Sequence, residues 1–209
     1  MYALVENNQI TKLINNPKSL MIGDVNYPAK IFSVWSQSEL NAIGIYEVVT
    51  DSTNKKDEAW YINTNESYAF ADNQVTRSWG TATAKPHADT TWTQQDSDDG
   101  LMPSDKSIGD IKTRGLKYNL IKDLKITVAN ELAKTDWYIT RNTEKSTAIP
   151  SSISTHRDAV RTKQASIETQ ILNASDTPAL ETLYTYVNTG TEENPVHERP
   201  LGELPTLES

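Results

Sequence analysis

The chain of 209 residues contains no cysteine. That excludes a disulfide framework, a thiolate metal site and a cysteine nucleophile. Histidine is scarce: the three residues at 87, 156 and 197 lie far apart and lack a neighbouring set of ligands, so each is expected in a surface or capping role. No apolar run reaches the ~18 residues needed to cross a bilayer, and Met1 opens directly into MYALVENNQI. Neither a membrane span nor a signal peptide is expected. The glycine-rich phosphate loops, the G-x-S-x-G elbow and the H-E-x-x-H zinc motif are all missing. No catalytic residue, cofactor or metal site is therefore expected. The one acidic cluster, Asp96, Asp98, Asp99 and Gly100, lacks the bidentate acid that a calcium loop needs further on, and reads as a solvated turn. Nothing selects a glycosidase-like pair from the 28 acids.

What is present is acidic, polar and unevenly charged. The formal charge is −8. It is −1 over residues 1–50, −4 over 51–115, +3 over 116–175 and −6 over 176–209. A net acidic chain repels a phosphate backbone, so nucleic-acid binding is not expected. The basic segment beside an acidic tail leaves two readings open: the tail lies along the basic helices of its own or a neighbouring subunit, or both are solvated faces.

The pattern runs from strands to helices. Residues 2–14 place two apolar runs around Glu6-Asn7-Asn8-Gln9, a hairpin signal because Asn tolerates positive φ. Ser36 or Ser38 is placed to cap a helical turn over SELNAIG, with Gly44 as its stop, and Ile45 to Val49 reads as a strand. Residues 51–57 read as a loop, and strands are expected at 60–62, 67–70 and 75–83. Residues 85–115 read as a long polar connection. From Leu116 the period turns helical, with Leu120, Leu124, Val128 and Leu132 following at four-residue steps. Thr135 or Asp136 is placed to cap a further turn. After Pro150, Ser151 or Ser152 is placed to cap a helix over 152–174, with Ile153, Val160, Ile167 and Ile171 on one side. Asp176 and Pro178 open a shorter helix that carries Leu180, Leu183, Tyr184 and Val187 to a stop at Gly190. The remaining proline-rich residues read as an extended arm.

The five tryptophans divide by context. Trp60 and Trp79 fall in strand-like runs and are expected in a core. Trp92, in TTWTQQ, either docks on another chain or staples its own loop. Trp137 and Arg141 are four apart on one helical face, and Arg141 and Glu144 three apart, so stacking and pairing are both within reach. Trp137 is expected as a wedge between helices, with Arg157 and Arg161 projecting from one face of the next helix.

Residues 132–161, LAKTDWYITRNTEKSTAIPSSISTHRDAVR, resemble the C-terminal region of tail-assembly chaperone-like and related tail proteins of tailed bacteriophages. The resemblance rests on Leu132, Thr135, Asp136, Trp137, Arg141, Glu144, Pro150, Arg157 and Arg161. His156 stands where an aromatic is usual and Val160 where Leu is usual, and the segment covers about a seventh of the chain. The opening MYALVENNQI…WSQSELNAIGIYEVV also looks like the first module of phage tail proteins with this helical end. The resemblance implies a non-enzymatic virion component of the tail or tail fibre, acting through protein–protein contacts. Its implied partners are other phage structural proteins and further copies of itself in a symmetric assembly, with no membrane partner. Its implied location is the virion tail, and the host cytoplasm during assembly. The alternative is an assembly chaperone absent from the mature particle, and a third class is a glycan-binding tip module using Trp92.

The expected fold is α+β, with small antiparallel β modules, then a helical region and an extended arm. The expected divisions are 1–50, 51–115, 116–188 and 189–209. A role in protein interaction or in helix packing is expected for Trp92, Asp136, Trp137, Arg141, Glu144, Arg157 and Arg161.

Overall fold

The computed structural model describes residues 1–207, so the last two positions of the expected arm, 208 and 209, lie outside the described residues. The fold is mixed α+β, with several small sheets and a C-terminal helical region. Two compact units divide the chain, Met1–Thr83 and Ala84–Ser209.

In the first unit, β1 (Tyr2–Glu6) and β2 (Gln9–Ile14) form the expected hairpin. Its turn holds Asn7 and Asn8 at φ 52° and 60°, the paired positive values that a two-residue turn matched to strand twist requires. A second small hairpin, β3 (Leu20–Ile22) with β4 (Val25–Tyr27), turns at Gly23, and α1 (Ile31–Val34) follows it. Ser36 caps α2 (Gln37–Ala42) through a reciprocal capping box with Glu39. Gly44 then turns the chain at φ 82°, where a Cβ would sit 2.6 Å from the Val5 carbonyl oxygen. No other residue fits that approach.

The next strands are β5 (Ile45–Thr50), β6 (Tyr61–Ile62), β7 (Ser67–Ala71) and β8 (Gln74–Ser78). One five-stranded sheet has the order β2-β1-β5-β8-β7. It is antiparallel except at β5–β8, which pair in parallel from Val48↔Val75 to Thr50↔Arg77. The expected division after residue 50 therefore falls between two neighbouring strands of a single sheet. Alternation along β1 sends Leu4 to one face and Ala3 and Val5 to the other. Leu4 packs with Ile31, Leu40 and Ile45 under the short helices, while Ala3 and Val5 pack with Val75. Trp60 and Trp79 are buried, as strand-like runs imply.

The second unit opens at the edge of β9 (Thr83–Ala84). Residues 85–115 are more ordered than a polar connection: β10 (Thr90–Thr91) pairs with β11 (Ile111–Thr113), and between them lies α3 (Gln94–Asp98). Helix α4 (Leu116–Ala133) packs along α6 (Ser151–Asn173), and α5 (Asp136–Lys145) bridges them. No serine hydroxyl caps α6; Pro150 occupies that position. Asp176 does cap α7 (Thr177–Tyr184), accepting from the Ala179 N–H at 2.8 Å. The helix stops at Tyr184, short of the expected Gly190, and Val187 belongs instead to β12 (Val187–Asn188), which pairs with β13 (His197–Glu198). The arm is not merely extended. After this hairpin it folds back, Leu201 is 2% exposed, and the Leu201 N–H donates to the Leu183 carbonyl at 3.2 Å.

Candidate interaction surface

The segment that carries the phage resemblance folds around Arg157. This side chain leaves α6 at the α4–α5 corner and is buried to 8% exposure. Its Nη1 lies 2.8 Å from the Leu132 carbonyl, 2.7 Å from Thr135 Oγ1 and 2.8 Å from Asp136 Oδ1. Thr135, itself 1% exposed, donates its hydroxyl to the Leu132 carbonyl and makes no side-chain cap for α5. The guanidinium adds a donor to a carbonyl near the end of one helix, which also accepts from the Thr135 N–H and hydroxyl, and pairs with the first acid of the next. One residue earlier, His156 is also buried, with Nε2 3.2 Å from Glu131 Oε1. The Lys134 ammonium beside Glu131 holds that carboxylate below its usual range, with His156 adding to the effect. The expected surface role for His156 is thus replaced by an interior one.

Trp137 is not the wedge. Its ring is 51% exposed. It lies against Tyr138 at 3.7 Å between ring centroids, with the Arg141 guanidinium 4.8 Å from its centre. Arg141 is turned toward the two aromatic rings and makes no ion pair with Glu144, which is exposed. Arg161, four residues on, is exposed and pairs with Asp158 at 3.3 Å, while Arg157 is buried. The apolar spacing of α6 carried the signal for this. Positions 156 and 157 fall three and four residues after Ile153 and before Val160, on the buried stripe, whatever their polarity.

Helix α4 presents three faces. Val128 is buried toward α6. Leu120, Leu124 and Thr127 face the returning arm, with Leu201, Leu204 and Pro205, around a cleft of about 570 Å³. The third face is open. Tyr118, Ile121, Lys122, Lys125 and Ile126, with Leu172 of α6, line a groove of about 770 Å³. Tyr118, Ile126 and Leu172 are 44%, 52% and 58% exposed. The groove's N-terminal end is fixed by Asp89, which accepts from the Gly115 N–H at 2.8 Å and from Arg114 at 2.6 Å. Both donors hold the Asp89 carboxyl below its usual range. Gly115 is required there, since a Cβ would lie 2.3 Å from the Ala88 carbonyl carbon.

Trp92 staples its own loop. Its N–H donates to the Asp110 carbonyl at 2.9 Å and its carbonyl accepts from the Gly109 N–H at 2.8 Å. The Lys112 ammonium sits 4.7 Å from the ring centre and bonds Asp96. The acidic cluster is a short helix, not a turn. Asp96 closes a capping box with Thr93, while Asp98 and Asp99 accept from Gln94 and Gln95 one turn earlier. Lys112 and the Thr93 cap together lower the Asp96 pKa to about 2. Among the described residues, no group of three His, Asp or Glu is placed to hold a metal ion, and no helix is long and apolar enough to cross a membrane.

The chain matches no family model, no curated protein and no solved structure.

Proposed function

We propose that this protein is a non-enzymatic structural component of a tailed-phage virion, in the tail or tail fibre, working through contacts with other phage structural proteins and with further copies of itself. The observation that carries the contact role is the apolar surface left uncovered on the helical unit: Trp137, Ile126, Ile139 and Leu172 are 39–58% exposed. Exposed apolar surface of this extent, edged by charge, marks interaction sites. Asp89, Asp96, Asp98 and Asp99 are engaged as helix caps and loop ties.

The phage assignment rests on the resemblance of residues 132–161. In support of it, Leu132, Thr135, Asp136 and Arg157 converge on one hydrogen-bonded corner, so these residue types serve a common purpose. The test is quantitative mass spectrometry of purified virions and of infected-cell lysate. The expected result is a fixed copy number per particle. A chain bound to tail or fibre protein in lysate but missing from particles is an assembly chaperone instead. A chain found in neither setting overturns the assignment.

A further inference from the structure

Two features on the helical unit fit one another in charge and size. The first is the α4 groove. At about 770 Å³ it lies within the ~300–1,000 Å³ range of concave binding sites, room for a few side chains and not for a folded domain. Its floor is apolar and its rim is basic, with Lys117, Lys122 and Lys125. The one acid in its lining, Asp89, is taken by Arg114. Lys117 donates to the Leu172 carbonyl and Lys125 stands 4.0 Å from Glu168, while Lys122 has no ion pair among the described residues.

The second is the β12–β13 arm. Val187 and Val196 are 49% and 48% exposed on it. Its tip carries Glu192 and Glu193, both exposed and unpaired among the described residues, and Glu198 follows; no Lys or Arg lies between residues 186 and 198. The hairpin is braced from within. Asn188 Oδ1 accepts from the Gly190 and Val196 N–H groups at 3.0 Å each, and the Thr189 N–H donates to the Val196 carbonyl at 2.7 Å. A segment held in shape loses little entropy on docking.

We infer that the acidic β12–β13 arm of one copy inserts Val187 and Val196 into the lysine-rimmed groove along α4 of the next copy. This deepens, and rests on, the assembly reading above. Each copy carries both a groove and an arm, so copies that donate their arms in one direction run head-to-tail and propagate into a ring or a filament. Its on-rate and strength fall with salt, because opposite charges on the two surfaces steer the encounter.

The absence of cysteine permits a direct test on the full chain. Lys122→Cys and Glu193→Cys proteins are prepared separately, checked for wild-type circular dichroism, mixed in equal amounts and mildly oxidised. The expected result is a mixed disulfide dimer at least ~10-fold above either same-variant dimer, falling at least ~5-fold at high salt or when Val196→Asp is added to the Glu193→Cys chain. The doubly substituted protein is expected to give a ladder of linked species. A statistical mixture of the three dimers overturns the inference, and so does a doubly substituted chain that closes on itself as a cross-linked monomer. Statistical cross-linking by a chain present in virions refutes the arm–groove contact alone. Specific cross-linking by a chain absent from infected cells and particles refutes the phage assignment alone.

Discussion

Replacing Arg157 by alanine removes a side chain that ties α6 to the α4–α5 corner. Its Nη1 carries two hydrogens but lies within 2.8 Å of three acceptors, so two are hydrogen-bonded at a time. A bond from a charged donor contributes about 1.5–3 kcal/mol. The Asp136 side chain is 60% exposed, so the ionic part adds at most about 1 kcal/mol. After the change the Leu132 carbonyl still accepts from the Thr135 N–H and hydroxyl, so no acceptor is orphaned. Adding the lost packing of the buried stem, Arg157→Ala is expected to destabilise the helical unit by about 2–4 kcal/mol. Arg157→Lys is expected to recover only part, since the lysine side chain is shorter and its ammonium stops short of the point where Nη1 meets the three acceptors. Trp137→Ala, by contrast, removes a half-exposed ring and its Arg141 contact, for about 1 kcal/mol or less. A buried wedge would have cost about 3–5 kcal/mol. The assay is urea unfolding followed by the helical circular dichroism signal, which comes mainly from α4 and α6. A loss above about 3 kcal/mol for Trp137→Ala together with one below about 1 kcal/mol for Arg157→Ala refutes the reasoning.

Two further outcomes follow from the same geometry. Leu201→Ala empties a site that is 2% exposed, so a loss of about 2–5 kcal/mol is expected, with faster hydrogen exchange at the Leu201 N–H; unchanged exchange shows that the arm is not docked. Asp96 is expected to titrate at about 2 by carboxyl-carbon NMR, against an ordinary value near ~3.9. Because its folded pKa is lowered, its contribution to loop order is present above about 4 and disappears as pH falls through about 2. Lys112→Ala is expected to raise the midpoint, and an ordinary midpoint in the unaltered protein refutes the pairing with Lys112 and Thr93.

Elements built from near neighbours were legible in the sequence. The Asn7-Asn8 turn, the Ser36 cap and the Gly44 stop each depend on a few adjacent residues with strong backbone preferences. The breaks at Pro150 and Asp176 were legible for the same reason. The parallel pairing of β5 with β8 was not, because strand register across some twenty-five intervening residues leaves no local trace. At the candidate surface, aromatic size misled. Trp137 was expected as a wedge between helices but is half-exposed, while Arg157 is buried because burial on α6 follows helical position and position 157 lies on the inner stripe. The order within residues 85–115 was missed because its strands are two or three residues long and its cohesion lies in side-chain caps such as Thr93–Asp96.

The three-faced character of α4 follows from its period. Apolar residues spaced four apart advance about 40° around the helix at each step, so Leu116 and Leu132 point some 160° apart and one neighbour cannot cover the whole stripe. Helix α6 takes one sector and the returning arm another. The arm is seated there by Leu201, Leu204 and Pro205, not by charge: its own ion pair, Arg199 with Glu203, closes within the arm. The Arg199–Glu203 pair leaves the +3 of residues 116–175 and the −6 of 176–209 opposed in charge. Glu192, Glu193 and Lys122 stay unpaired among the described residues. Sustained separation of opposite charges on one surface raises the energy of the isolated copy and is relieved when a second copy brings them together. An assembly of this chain is thus expected to weaken with added salt more steeply than its fold does, which light scattering and circular dichroism on the same samples measure directly.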